Sequence, residues 1–142
     1  MKIVDLNVLI YATDTTSARH TAARIWLDRV MSSTETIGIP ALVAVGYLRL
    51  TTSTRVMAAP LDIRTSVAVV NGWLNRANVT SPAPTSRHYG LVGELLEPLG
   101  TAGNLVADAH LAALSIEHGA EMCSFDHDFG RFSGVVWTKP DE

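Results

Sequence analysis

Short apolar runs and longer runs with helical spacing take turns along this chain. KIVDL, residues 2–6, is a short β-type run. In SARHTAARIWLDRVMSS, Ala22, Ile25, Trp26, Leu27 and Val30 recur near helical spacing behind Ser17, a cap candidate. TIGIP reads as a second strand whose proline stands where a helix can begin. ALVAVGYLRLTTS continues as a mostly apolar helix. Asp62 is placed to N-cap IRTSVAVVNGWLNRA, in which Ile63, Val67, Val70 and Leu74 form one face. NVT is a short third strand, SPAPTS a loop with two prolines, and HYGLVGELLEPL a helix. GTAGN turns into LVADAHLAALSIEHG, a run of good helix formers with Gly119 placed as its stop. EMCSF is a strand, FDHDFGRF a turn or short helix, and VVW a last strand. No internal repeat or low-complexity tract breaks the pattern, so the chain reads as one domain over 1–142.

Strands alternating with helices predict an α/β fold: a short parallel sheet of about four to five strands, covered by helices on both faces in three α/β/α layers. Such sheets bind ligands at the carboxyl ends of their strands. Those ends carry acids. Asp5 ends the first strand, Asp126 ends EMCSF with Asp128 two residues on, and Asp108 lies in the first turn of the LVADAHLAALSIEHG helix.

Asp5 is the most telling of them, because its apolar neighbours predict burial. A buried carboxylate costs several kcal/mol unless it is paired, hydrogen-bonded or bound to a metal. Two carboxylates about 4 Å apart repel by roughly 1–4 kcal/mol. A cluster of them calls for protonation or a bridging cation, and hard oxygen ligands suit Mg²⁺ or Mn²⁺. Such a site can orient a water and offset charge on a phosphoryl group. Taken singly, each acid has a plainer reading. Asp108 can serve as a helix-start residue, and Asp126 and Asp128 as turn formers.

Composition narrows the classes. With 47% apolar and 18% charged residues the chain is no disordered tail, and a formal charge of −3 offers no global basic field for nucleic acid. Cys123 is the single cysteine, so an intrachain disulfide is excluded; its strand context makes it a small core residue. Asp5 interrupts the first apolar run, which therefore makes a poor signal peptide, and no run approaches a membrane span of roughly 20 residues. The expectation is a compact cytoplasmic protein. No His-x-x-x-His pair, G-x-S-x-G elbow or phosphate-binding glycine loop is present, and His110, His118 and His127 read as surface or packing residues. A phosphatase of the haloacid dehalogenase type would need a second aspartate where Asn7 stands, and a lysine somewhere between Lys2 and Lys139.

IVDLNVLIYA, NLVADAHLAALSIEHGAEMCSFDHDFGRF and VVWTKP together resemble a PIN domain of the VapC toxin type, over nearly the whole chain. The resemblance implies a PIN-like fold and a Mg²⁺- or Mn²⁺-dependent endoribonuclease, the toxin of a type II toxin–antitoxin pair neutralised by a VapB-type antitoxin. By motif, Asp5 and Asp108 become the metal ligands and Asp126 completes the catalytic set, with Asp128 beside it. Asn7 and Asn104 become residues that support the ligands or position substrate. A homodimer is implied too, acting on RNA with accessible single-stranded loops. The apolar helices from Ala41 and Ile63 are open to three coverings: the monomer core, a second copy, or an antitoxin helix.

One position departs from the resemblance. Many relatives carry a glutamate in the helix after the second strand, where this chain has Gly46, and residues 36–61 hold no Asp or Glu at all. Arg49 is retained. Two consequences are open: a cation held by the remaining aspartates and more water, or a weakly active module that binds RNA or antitoxin. Arg19, Arg24, Arg49, Arg87 and Arg131 are all candidates for backbone contact.

Overall fold

The computed structural model describes residues 1–141. Five strands form one sheet: β1 (Lys2–Val4), β2 (Ile37–Gly38), β3 (Val79–Thr80), β4 (Glu121–Cys123) and β5 (Trp137–Thr138). All neighbours are parallel, in the order β3-β2-β1-β4-β5, with Ile3 opposite Gly38 on one side and Met122 on the other. Six α-helices connect them: α1 (Leu6–Thr13), α2 (His20–Met31), α3 (Ala41–Thr51), α4 (Ile63–Leu74), α5 (His88–Leu96) and α6 (Val106–Glu117). Helix α1 packs against both α2 and α3, α3 packs against α4, and α5 pairs with α6. The sheet between them gives three α/β/α layers.

The order of the strands fixes where a ligand can sit. The chain runs outward from β1 through β2 to β3, then returns to build β4 and β5 on the other side. Beyond the carboxyl ends of β1 and β4 the connections diverge to opposite faces, leaving a crevice.

Helix α1 corrects the expectation of a strand through Asp5. The strand stops at Val4, and the apolar run after it is a helix, with Val8, Leu9, Ile10 and Ala12 buried. An apolar run of this length carries no periodicity that separates a buried strand from a buried helix. Asp5 makes the switch, since its Oδ1 accepts a hydrogen bond from the Leu6 amide at 2.7 Å and caps α1.

Two helix faces also differ from expectation. In α2, Ala23 and Met31 join Trp26, Leu27 and Val30 inside, whereas Ile25 is 64% exposed. In α4, Ser66 and Val70 are buried while Ile63 and Val67 face out. Ser66 is accommodated because its hydroxyl shares a 2.7 Å hydrogen bond with Thr51 of α3. Asp62 caps α4 as expected, accepting from the Thr65 amide at 2.8 Å. Gly119 ends α6 at a φ of +58°, a left-handed turn that glycine takes without penalty.

Candidate active site

The crevice beyond β1 and β4 is where the acids meet. Asp5 arrives on the β1–α1 junction, Asp108 on the first turn of α6, and Asp126 and Asp128 on the 3-10 turn His127–Arg131 that follows β4. Asp126 builds that turn, its Oδ1 accepting from the Asp128 amide at 2.9 Å. Phe125, Phe129 and Phe132 are buried around it and hold the turn to the core. Asp108, Asp126 and Asp128 each offer an oxygen within 4.8 Å of the other two.

Asp5 stands outside that three-way set but within its electrostatic reach. It is buried, at 7% exposure, and every oxygen has a partner. The Leu6 amide donates to Oδ1, while Asn7 Nδ2 at 2.9 Å and Ser124 Oγ at 2.5 Å donate to Oδ2. Oδ1 keeps one lone-pair direction for a further ligand. Burial raises the Asp5 pKa above the ordinary carboxylate value; the Ser124 and Leu6 hydrogen bonds oppose the rise and the Asp126 charge adds to it. Asp108 is pushed up to about 6, first by burial and then by the charges of Asp5, Asp126 and Asp128. Negative charge is therefore crowded here beyond what the fold itself relieves.

That crowding tests the donor set for a cation. The converging atoms are carboxylate oxygens from three residues, with no thiolate or imidazole among them. Hard oxygen donors in that number suit a small divalent cation, and a bound +2 charge would remove the repulsion that lifts Asp108. The residues fit.

Ser124 is the residue that sequence reasoning missed. Besides Asp5 it meets Asn7 Nδ2 at 3.0 Å and accepts from the Asp126 amide at 2.9 Å, tying the β1 and β4 ends together. Its signal was its place, directly after a strand and two residues before an acid. Asn7 also receives the Phe125 amide at 3.2 Å, so it clamps the two loops. Asn104 lies on the 3-10 turn Gly103–Leu105 that leads into α6, exposed and four residues before Asp108.

The histidines are packing residues of an unexpected kind. His88, fully buried, hydrogen-bonds Glu117 Oε2 through Nδ1 at 2.6 Å and His110 Nδ1 through Nε2 at 2.7 Å. Because a carboxylate only accepts, His88 donates from Nδ1, and in the neutral chain His110 Nδ1–H donates to His88 Nε2. Burial and the neighbouring His88 lower the His110 pKa. His118 Nε2 meets the Ala83 carbonyl oxygen at 2.8 Å, and His127 is exposed, edge-on to Trp137. Cys123 is buried, with its thiol pushed up to about 11 by burial, as suits a core residue.

A PIN-domain profile matches residues 2–135. The chain belongs to the PIN-domain family. Ribonuclease VapC37 of Mycobacterium tuberculosis is 41% identical over 140 residues, spanning 99% of this chain and 97% of its own. Ribonuclease VapC33 of the same organism is 40% identical over 140 residues, spanning 99% and 98%. Among solved structures, VapBC-1 from nontypeable Haemophilus influenzae aligns with a TM-score of 0.69 at 17% identity, over 99% of this chain and 98% of its own. Mycobacterium tuberculosis VapC20, a sarcin–ricin-loop-cleaving toxin, aligns at 0.65 with 18% identity, over 96% and 97%. At such identities the structural likeness is one of fold, the same three-layer PIN architecture.

Within this PIN domain, Gly46 lies buried on α3 against α1. A Cβ built there would come within 2.6 Å of Leu6 Cδ2. The Leu6 side chain therefore occupies the space that any larger residue at 46 would enter.

Proposed function

We propose that this chain is a VapC-type endoribonuclease, the toxin of a toxin–antitoxin pair, hydrolysing RNA phosphodiester bonds with a divalent cation, Mg²⁺ or Mn²⁺. The observation that carries the reading is the convergence of three carboxylates within 4.8 Å beside a buried fourth, Asp5, held by three hydrogen bonds. The kinship with ribonucleases VapC37 and VapC33 along the full length supports it.

In this reading Asp5 and Asp108 hold the cation and Asp126 completes the catalytic set, with Asp128 beside them. A bound divalent ion supplies positive charge against the phosphate and makes a water it orients more acidic. Asp5 is held rigid for the task by Asn7 and Ser124, which spare it reorientation as substrate arrives. Asp126 accepts a hydrogen bond from the attacking water and so directs it at phosphorus. Asp128 is restrained by Arg131, whose Nη1 lies 3.3 Å from its Oδ1.

The partners follow from kinship and from the surface. VapBC-1 of Haemophilus influenzae is a toxin held with its antitoxin, and we assign this chain a VapB-type antitoxin of its own. Leu42 and Val45 on α3, and Ile63 and Val67 on α4, are exposed apolar residues that a second copy and an antitoxin helix would cover. No described helix is long and apolar enough to cross a membrane. The chain acts in the cytoplasm, as a single PIN domain.

The test uses wild type and Asp5→Ala, each purified free of antitoxin and incubated with total cellular RNA plus Mg²⁺ or Mn²⁺. Mapping of new 5′ ends should give discrete, metal-dependent cuts from wild type alone. The same ends from both proteins, or none from either, would replace this reading with a non-cleaving RNA- or antitoxin-binding module.

A further inference from the structure

A phosphodiester approaching four aspartates on a chain of net charge −3 meets repulsion, so positive charge must come from somewhere close. The structure narrows the arginines. Arg24 is engaged by Asp28 and Arg131 by Asp128. Arg19 pairs with Asp141 and covers the Phe125 ring, while Arg76 donates to the Met31 carbonyl. Arg29, Arg55, Arg64 and Arg87 are exposed and do not line the cavity that holds Asp5 and Asp108. Among the described arginines, Arg49 is the one that lines the cavity holding Asp5 and Asp108.

The cavity is small, about 250 Å³, and runs between α1, α3 and α6. Asp5, Asp108, Leu6 and Leu42 line it, and Gly46 and Arg49, also in its lining, stand one helical turn apart on α3. The Arg49 guanidinium makes no hydrogen bond or ion pair among the described residues, although two carboxylates share its cavity. Nothing on its own helix can take it either, because residues 36–61 contain no acid. A planar guanidinium with five donors, unspent on a residue that lines the same cavity as two carboxylates, is available to a third party carrying negative oxygens.

We propose that Arg49 is a phosphate-binding residue, gripping a non-bridging oxygen of the RNA backbone across the cavity from Asp5 and Asp108. The proposal rests on the nuclease reading above and adds the substrate side of the same site. Gly46 belongs to the arrangement. A side chain there would run into Leu6 and fill the floor of the cavity that the phosphate enters. Arg49 supplies charge along the backbone and reads no base, so its contribution is the same for every RNA sequence.

The experiment compares wild type, Arg49→Gln, Arg49→Lys and Arg87→Gln on a pool of mixed-sequence single-stranded RNA. The value of kcat/KM is followed with Mg²⁺ and Mn²⁺ between 50 and 200 mM salt, alongside the Mg²⁺ concentration giving half-maximal rate. Thermal melts confirm the fold, which an exposed side chain should leave intact. The expected result for Arg49→Gln is a kcat/KM lower by about 10–100-fold, uniformly across sequences, with unchanged Mg²⁺ dependence. One lost phosphate contact also flattens the slope of log kcat/KM against log salt by about 0.7. Arg49→Lys recovers part of the rate, having the charge without the fork, and Arg87→Gln matches wild type. If wild type cuts and Arg49→Gln stays within twofold of it, the arginine proposal is overturned and the nuclease reading stands. A rate loss with an unaltered salt slope and no rescue by lysine overturns it as well, leaving Arg49 a structural residue. If wild type cuts with neither metal, the nuclease reading fails and this proposal falls with it.

Discussion

Replacing Asp108 by asparagine should stabilise the metal-free protein at neutral pH, although it removes a residue the site needs. The reasoning starts from the rise of the Asp108 pKa from 3.8 to about 6 in the fold. Below about pH 4 both folded and unfolded chains carry the proton, and the carboxyl costs nothing. Between about pH 4 and 6 the unfolded chain releases its proton while the folded chain retains it, so folding becomes less favourable as pH rises. Above about pH 6 the loss is complete. At about 1.4 kcal/mol for each tenfold in proton affinity its ceiling is about 3 kcal/mol. Because Asp108 is only half-buried, solvent screening reduces this to roughly 1–2 kcal/mol. The buried Asp5 titrates in the same sense.

Urea denaturation from pH 4 to 8 in EDTA should therefore show wild type losing roughly 1–2 kcal/mol more than Asp108→Asn, mostly below pH 6.5. Added Mg²⁺ or Mn²⁺ should restore wild type above pH 6 through its preference for the folded site, and do little at pH 4 or for Asp108→Asn. The readout needs no RNA and no turnover. If Asp108→Asn were no more stable than wild type at pH 7.5 in EDTA, the crowding argument would be wrong, and with it the physical case for a cation.

Other outcomes follow from neighbouring contacts. Gly46→Ala should destabilise by about 1 kcal/mol, since overpacking against Leu6 outweighs the gain in helix propensity. In a Leu6→Ala background the same change should be neutral or favourable, and strict additivity in urea melts would refute the clash. Ser124→Ala should weaken Mn²⁺ binding by about 10–100-fold in titration calorimetry by freeing Asp5, with fold retained; unchanged affinity would show that the clamp is dispensable. His88→Ala should cost about 2–4 kcal/mol of stability, because it empties a fully buried site and takes one partner each from Glu117 Oε2 and His110 Nδ1. A loss under 1 kcal/mol would mean that the chain of three is only a packing coincidence.

Much of this protein was written locally. The alternation of short strands and helices, the Asp62 cap, the Gly119 stop and the acids at strand ends are all set by residues within a turn of one another, and the sequence by itself determined them. So did the identity of the candidate ligands, because hard-cation chemistry demands carboxylates and the chain places them after strands.

What the tertiary structure decided are matters of phase and of pairing across the chain. The run after Asp5 is apolar nearly throughout, so the Asp5 cap together with packing against α2 and α3 makes it a helix. The buried faces of α2 and α4 follow the neighbours they meet, which admits Ser66 and leaves Ile25 and Ile63 in water. Ser124 meets Asp5 across 119 residues, and Glu117, His88 and His110 come together only when α5 lies along α6. Arg49 became distinct from the other arginines for the same reason. A side chain's charge is local information, but the cavity it faces is made by three helices, and no window of sequence contains all three.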